Sequence, residues 1–389
     1  MSRALFVVLA EKGHVHPFIG PAQELLRRGH TVGFYSPCDL RGPLGRAGFE
    51  HIFVGSKEAA PPPDANRGQA FAELVADPER LRAWIRAMLV DTVPLEVQRL
   101  SEVVEFFKPD VIVADPMAYA APIVAARARV PWAGVSTSLN PVVPADWTSE
   151  LISTTSALPR AQLFADYGVR DAAFRVSDCL SPFLNVAFTT RELVGPPPPG
   201  VLLAGASLPL ADRGDEGELL EVDDRPLVFM ALGSQIFHQP RMFEVVIKAS
   251  RGQPWQLVLA MGSLKEVMPA PDDVRVVGYA PQLALLRRAR AMISHGGANS
   301  VMEALAHGVP LMVSPICNDQ PHNARFVARA GAGVVCDLAA ASVDEVRGSL
   351  AMLVADGGPR AVAGRIGAAY RAADGARVVA DAVLGVSLA

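Results

Sequence analysis

A short apolar run, Ala291-Met292-Ile293, empties into Ser294-His295-Gly296-Gly297-Ala298-Asn299-Ser300-Val301-Met302-Glu303. Two glycines at a strand-to-helix corner let the backbone close on a bulky ligand and leave amide N–H groups exposed. The helix that follows directs the positive end of its dipole at that corner, making an anion site whose usual occupant is phosphate. His295, Asn299 and Ser300 add side-chain hydrogen-bond donors, and Glu303 can accept from a diol. These residue types in this order suit a nucleoside diphosphate held by its phosphates and ribose. Taken alone, His295-Gly296-Gly297 also reads as a tight turn between core elements. Its company argues otherwise. Tyr279-Ala280-Pro281-Gln282 lies one apolar run earlier and Asp319-Gln320 one run later. Tyr279 can stack on a base, backbone groups near Ala280 can read its edge, and Asp319 with Gln320 suits neighbouring sugar hydroxyls.

A second group follows the first apolar run, Ala4 to Ala10, as Gly13-His14-Val15-His16-Pro17. Histidine exchanges a proton near neutral pH because its unperturbed pKa is about 6.5. Asp115 follows the run Val111 to Ala114, which in a parallel sheet can end beside the first strand. A carboxylate there fixes the tautomer of His14 and stabilises its protonated form. His16, in the same loop, is the rival base, and Asp115 alone could instead cap the turn before Pro116.

The elements that must position these groups alternate along the chain. Strands are expected at Ala4–Ala10, Thr31–Tyr35, Phe49–Val54, Val111–Ala114, Trp132–Ser136, Val186–Thr189 and Val201–Ala204. Pro17 is expected to open the first helix, leaving Glu11 to His16 as loop. Pro61-Pro62-Pro63 marks a loop, Ala70 to Phe107 has helical spacing, and residues 139–184 read as mixed helix and loop. Alternation restarts with strands at Leu227–Ala231, Trp255–Ala260, Val274–Gly278, Ala291–Ser294, Leu311–Ser314 and Gly333–Cys336, and ends in helix over 342–384. The fold class expected is α/β, with two Rossmann-like doubly wound domains facing across a cleft. The expected divisions are 1–207, an acidic linker at 208–226, 227–365, and a helix in 366–389 able to pack back on the first domain.

With 389 residues, half of them hydrophobic, the chain is long enough for two cores. A formal net charge of -4 without a Lys/Arg block argues against nucleic acid as partner. Cys38, Cys179, Cys317 and Cys336 follow no CxxC spacing, so neither a disulfide framework nor a zinc knuckle is expected. The first ten residues are too weakly patterned for a secretory leader, and no uncharged apolar run reaches membrane-span length. A cytoplasmic location is the expectation.

The segment Val277–Gln320 resembles the nucleotide-sugar signature of the family 1 glycosyltransferases, shared by plant secondary-product and bacterial natural-product enzymes. The pieces that carry the likeness are Gly278-Tyr279-Ala280-Pro281-Gln282, His295-Gly296-Gly297-Ala298-Asn299-Ser300, Glu303 and Asp319-Gln320. The resemblance implies a GT-B fold with the sugar donor bound mainly by the second domain. It implies that Tyr279 stacks on the base with Ala280 beside it, and that Gln282 lies near the ribose. His295, Gly297, Asn299, Ser300 and Ser234 would hold the diphosphate, Glu303 the ribose hydroxyls, and Asp319 and Gln320 the sugar. The family pattern Gly-His-x-x-Pro favours His14 as base, paired with Asp115. Two departures are visible: plant enzymes carry tryptophan at the positions of Tyr279 and Ala298, and the alanine makes the chain look bacterial.

The chemistry implied is a single inverting displacement, with an acceptor hydroxyl deprotonated by His14 as it expels the nucleoside diphosphate. No obligatory cofactor is implied beyond the nucleotide-sugar co-substrate, UDP-glucose first and a dTDP-sugar second. The chain lacks an Asp-x-Asp motif, so no tightly held metal is implied. A hydrophobic small-molecule acceptor would fit a lining drawn from Phe71, Leu74, Trp84, Ile85, Met88, Trp147, Leu163 and Phe164, which read equally as helix-packing faces. The chain would act as a monomer or homodimer. The alternatives are a UDP-sugar epimerase and a non-catalytic nucleotide-sugar-binding helper. A nicotinamide dehydrogenase is disfavoured because Glu11-Lys12-Gly13-His14, not G-x-G-x-x-G, follows the first strand.

Overall fold

Continuous apolar runs make strands that can only be buried on both faces, and here they build two parallel sheets. The structure is a computed structural model and describes residues 1–55, 68–147, 150–213 and 222–387. The loop expected at Pro61-Pro62-Pro63 and the acidic centre of the expected linker lie outside these residues. The strands in chain order are β1 (Arg3–Val7), β2 (Thr31–Ser36), β3 (His51–Val54), β4 (Val111–Ala114), β5 (Trp132–Ser136), β6 (Ala173–Arg175), β7 (Asp178–Leu180), β8 (Leu184–Ala187), β9 (Val201–Leu203), β10 (Leu227–Ala231), β11 (Gln256–Ala260), β12 (Val274–Val277), β13 (Ala289–Ser294), β14 (Leu311–Val313) and β15 (Gly333–Val335). The first sheet has the order β3-β2-β1-β4-β5-β8-β9 and the second β12-β11-β10-β13-β14-β15.

Each order reverses once, between β1 and β4 in the first sheet and between β10 and β13 in the second. At such a switch point the connections leave in opposite directions and open a crevice beyond the carboxyl ends of the strands. The registers Val7↔Ala114 and Ala231↔Ser294 bring those ends level. The two doubly wound halves facing a cleft are therefore as expected.

Helix boundaries differ from expectation at the first crossover. The helix runs Lys12–Arg27, starting five residues before Pro17, so His14 and His16 sit in helix instead of loop. Proline lacks the N–H that would bond the carbonyl four residues back, and that residue, Gly13, has no side chain to add crowding. The backbone N–H groups of His14 and Val15 both bond the Glu11 carbonyl, which anchors the start. The helical spacing over Ala70–Phe107 is realised as helices Gly68–Ala76, Pro78–Arg86 and Val93–Phe107 with a π-turn at Ala87–Asp91. Pro78 and Pro94 sit in first helical turns, where a missing N–H is harmless. Within 139–184 the antiparallel pair β6–β7 has no counterpart in the expectation.

The two halves share one continuous apolar cluster. Phe18, Ile19 and Leu25 of the first helix join Val379, Ala380 and Val383 of the C-terminal helix Gly375–Val386. Gly20 eases this approach, since a Cβ there would fall 3.3 Å from the Ala376 Cβ, and 2.3 Å from the Leu208 carbonyl oxygen. Tyr370 Oη donates to Thr189 Oγ1 at 3.3 Å across the same seam. Among the described residues no helix is long and apolar enough to cross a membrane.

Candidate active site

Three adjacent strand ends of the first sheet converge on one imidazole. His14 stands in the first turn of the helix after β1, Asp115 directly follows β4, and Thr137 directly follows β5. His14 Nδ1 lies 2.6 Å from Asp115 Oδ2 and 2.8 Å from Thr137 Oγ1, and Thr137 Oγ1 donates to the same carboxylate oxygen at 2.9 Å. Asp115 is fully buried, and its other oxygen accepts from the Met117 N–H at 2.9 Å. With Nδ1–H donated to Asp115, the lone pair of the neutral ring sits on Nε2. Glu11 Oε2 lies 3.9 Å from that nitrogen. Burial disfavours the imidazolium, but Asp115, with help from Glu11 and Asp319, outweighs it and raises the pKa to about 9. His16 lines the same cavity, and the Asp115 carboxylate pairs with His14.

Behind this triangle lies a second buried carboxylate. Asp178 accepts from Ser136 Oγ at 2.5 Å and from Asn140 Nδ2 at 2.7 Å, which ties the loop carrying Thr137 to β7. Burial pushes the Asp178 carboxyl up to about 7 against those two hydrogen bonds.

The second sheet offers the opposing wall. Gly233-Ser234 follows β10 and His295 follows β13, the two strands that flank its switch point. The His295 ring is wedged between glycines: a Cβ on Gly233 would fall 2.9 Å from its Cε1 and Nε2, and one on Gly297 would fall 2.7 Å from Nε2. Gly233 also has φ +82°, which disfavours any side chain. Burial holds the His295 pKa down at about 4, so the ring is a neutral hydrogen-bonding group at neutral pH. The following helix, Ala298–Ala306, has Gly297 as its N-cap and no side-chain cap, so first-turn N–H groups remain open to an anion. Asn299 and Ser300 therefore lie inside the first turn of the helix.

One cavity of about 560 Å³ joins the two walls. It is lined by His14 and Thr137 on one side and by Ser234, Tyr279, Ala280, Gln282, His295, Gly297, Asn299, Ser300, Asp319 and Gln320 on the other. Of the residues expected at the site, Asp115 and Glu303 do not line it; each stands one layer behind. His14 and the glycine-bordered corner therefore share one cavity. Lys12 bridges the gap, with Nζ 3.3 Å from the centre of the Tyr279 ring, so one face of that ring already carries a cation. Gln320 is also partly occupied, its Oε1 accepting from the Ile316 and Cys317 N–H groups at 2.8 and 3.0 Å. Asp319 Oδ2 accepts from Asn323 at 2.8 Å, and burial raises its pKa.

The apolar candidates divide. Phe71, Trp84, Ile85 and Met88 line the cavity, joined by Ile236 and Phe237 from the second half. Trp147 instead packs on Phe326 with ring centres 4.7 Å apart, under the Arg325 guanidinium. Leu163 and Phe164 belong to the core around Tyr119. Helical spacing marks an apolar face but not which body covers it, so the two classes look alike in sequence.

Residues 256–383 match the family described as erythromycin biosynthesis protein CIII-like, C-terminal domain. The chain is 30% identical over 382 residues to the oleandomycin glycosyltransferase of Streptomyces antibioticus, covering 91% of this chain and 83% of that protein. The chain belongs to the GT-B glycosyltransferases of bacterial natural-product biosynthesis. The fold likeness extends over the whole molecule. The glycosyltransferase of kitacinnamycin superposes with TM-score 0.76 at 23% identity over 98% of this chain and 97% of that one. Glycosyltransferase VinC, solved with dTDP, does so with TM-score 0.73 at 20% identity over 99% of both chains. This glycosyltransferase thus transfers a sugar from a nucleotide-activated donor to a natural-product acceptor.

Thr137, Lys12, Gly233 and Arg213, which also lines the cavity, were not among the sequence candidates. Thr137 had a signal, since it directly follows an apolar strand ending beside β4. Arg213 had none, because it lies in the segment between β9 and β10 and not at the end of an apolar strand.

Proposed function

We propose that the enzyme is an inverting hexosyltransferase in which His14 is the general base, Asp115 orients it, and the glycine-bordered corner carries the nucleoside diphosphate. The observation that carries this reading is the shared cavity, with the Asp115-paired imidazole on one wall and the open helix N-terminus with His295 on the other.

The reaction follows from those positions. The acceptor hydroxyl, bedded on Phe71, Trp84, Ile85 and Met88, gives its proton to His14 Nε2 as its oxygen attacks the anomeric carbon. The bond from that carbon to the β-phosphate oxygen breaks on the opposite face, so one displacement inverts the centre. The proton stays on an imidazolium that Asp115 stabilises, and the charge appearing on the diphosphate meets the helix N-terminus, Ser234 and neutral His295. No resident metal is called on for that charge. Asp319 and Gln320 would hold the sugar hydroxyls, and the Tyr279 ring the base. A pyrimidine nucleotide fits this description in either its uridine or its thymidine form. UDP-glucose stays the first donor to try, and the dTDP found with VinC makes dTDP-hexoses the second.

The test is a screen of UDP- and dTDP-hexoses against a panel of hydrophobic alcohols and phenols, with products detected by mass and their anomeric configuration read by NMR. An α-linked donor should give a β-linked product. Retention of configuration would contradict the single displacement. Sugar interconversion without an acceptor would favour an epimerase, and nucleotide binding without turnover on any acceptor a helper protein.

A further inference from the structure

The carboxylate expected to take the ribose hydroxyls is already held. Glu303 is 1% exposed, and its Oε1 accepts from Arg213 Nη1 at 2.6 Å and from Asn299 Nδ2 at 3.1 Å. Its Oε2 accepts from Gln282 Nε2 at 2.7 Å. Those three donors line the cavity, and Glu303 does not. A carboxylate has about four acceptor positions, so roughly one is left. Gln282, Asn299 and Glu303 all belong to the second half, whereas Arg213 comes from the segment between β9 and β10.

A vicinal diol grips a carboxylate by giving one hydroxyl to each oxygen. Here that would require an uncharged hydroxyl to displace the guanidinium from Oε1. Separating the pair would take the guanidinium from the buried Glu303 carboxylate, and a neutral hydrogen bond returns far less than that loss. One hydroxyl can be satisfied at the remaining position; two cannot while Arg213 stays.

We propose that Arg213 shields Glu303 and makes the nucleotide site indifferent to the 2′-hydroxyl, so that ribo- and 2′-deoxyribonucleoside diphosphate sugars are both accepted. The inference rests on the reading of this corner as the nucleotide site. It puts uridine-type and thymidine-type donors on an equal footing at the pentose, and leaves the choice between them to the base and the hexose.

Calorimetric titration of the full chain with UDP and with 2′-deoxy-UDP tests it, because the two differ by a single oxygen. The wild-type protein should bind them within about threefold of each other. R213A exposes Glu303 and should gain a preference of about tenfold for UDP, the size of one hydrogen bond restored at a buried acceptor. A wild-type preference for UDP of tenfold overturns the proposal, as does a folded R213A that remains indifferent. If R213A does not fold, R213M, which fills the same space without a donor, is titrated in its place, and the wild-type pair decides regardless. Failure of the wild type to bind either nucleotide is a different result, and removes the nucleotide-site reading itself.

Discussion

His14 and Asp115 are 101 positions apart in sequence and 2.6 Å apart at Nδ1 and Oδ2. The fold makes that distance by pairing β1 with β4, so that both residues leave the sheet on the two sides of its reversal of strand order. An imidazole held this way keeps its second nitrogen directed to the cavity with a fixed tautomer, which is the requirement on a general base.

The pair sets the pH dependence. A base must be neutral to act, and the His14 pKa is raised to about 9. kcat/KM should therefore climb with pH through about 9, where the imidazolium loses its proton. D115N removes the largest raising influence while burial persists, so the limb should move to lower pH with a lower plateau. A limb unchanged in D115N contradicts the pairing. The same shift bears on stability with the opposite slope: the contribution of this pair is complete below about pH 6.5 and is lost as pH rises through about 9. Urea titrations of the wild type and D115N at pH 6 and pH 10 should show the gap between them narrowing at the higher pH.

Thr137 is the third corner of the triangle. T137V removes the hydroxyl that donates to Asp115 while keeping the side-chain shape, and should lower kcat about tenfold, as partners that orient an active group commonly do. T137S should restore most of the loss. Equal impairment of both variants would point to packing and not to the hydroxyl.

The sheet elements and the cleft-facing loops were legible because buried parallel strands have no polar alternation and because chemistry collects just beyond their ends. Leu227–Ala231 and Trp132–Ser136 need only that rule. The start of the first helix was not legible: Pro17 is a strong N-terminal signal, and only the Glu11 carbonyl with side-chain-free Gly13 shows why the helix tolerates it further in. Likewise Trp84, in the helix Pro78–Arg86, and Trp147, in a loop, are both aromatic residues with no sequence mark of what covers them. Only the position of the second half tells that Phe326 covers one and that the other faces the cavity.

That division gives a paired prediction. W84A removes cavity lining and should raise the acceptor KM with a modest effect on melting. W147A takes away the partner of Phe326 and Arg325, and should cost stability of about 3–5 kcal/mol, seen in urea titration, whatever its effect on KM. Reversed outcomes would exchange the two assignments.

The glycines around His295 are a steric prediction. G297A would bring a methyl within 2.7 Å of Nε2 and push the ring from its place, as would G233A, which adds backbone strain at φ +82°. Each should weaken UDP binding and turnover together, and to a degree comparable with H295A, about a hundredfold in kcat/KM. Wild-type nucleotide affinity in both glycine variants would show that the ring does not touch the phosphates.

The most direct measurement compares H14A with the wild type under saturating sugar donor and acceptor, alongside the nucleotide Kd of each by calorimetry. With His14 as base, turnover falls at least about a hundredfold while the Kd stays within a factor of about two. Turnover by H14A at the wild-type rate would contradict the account.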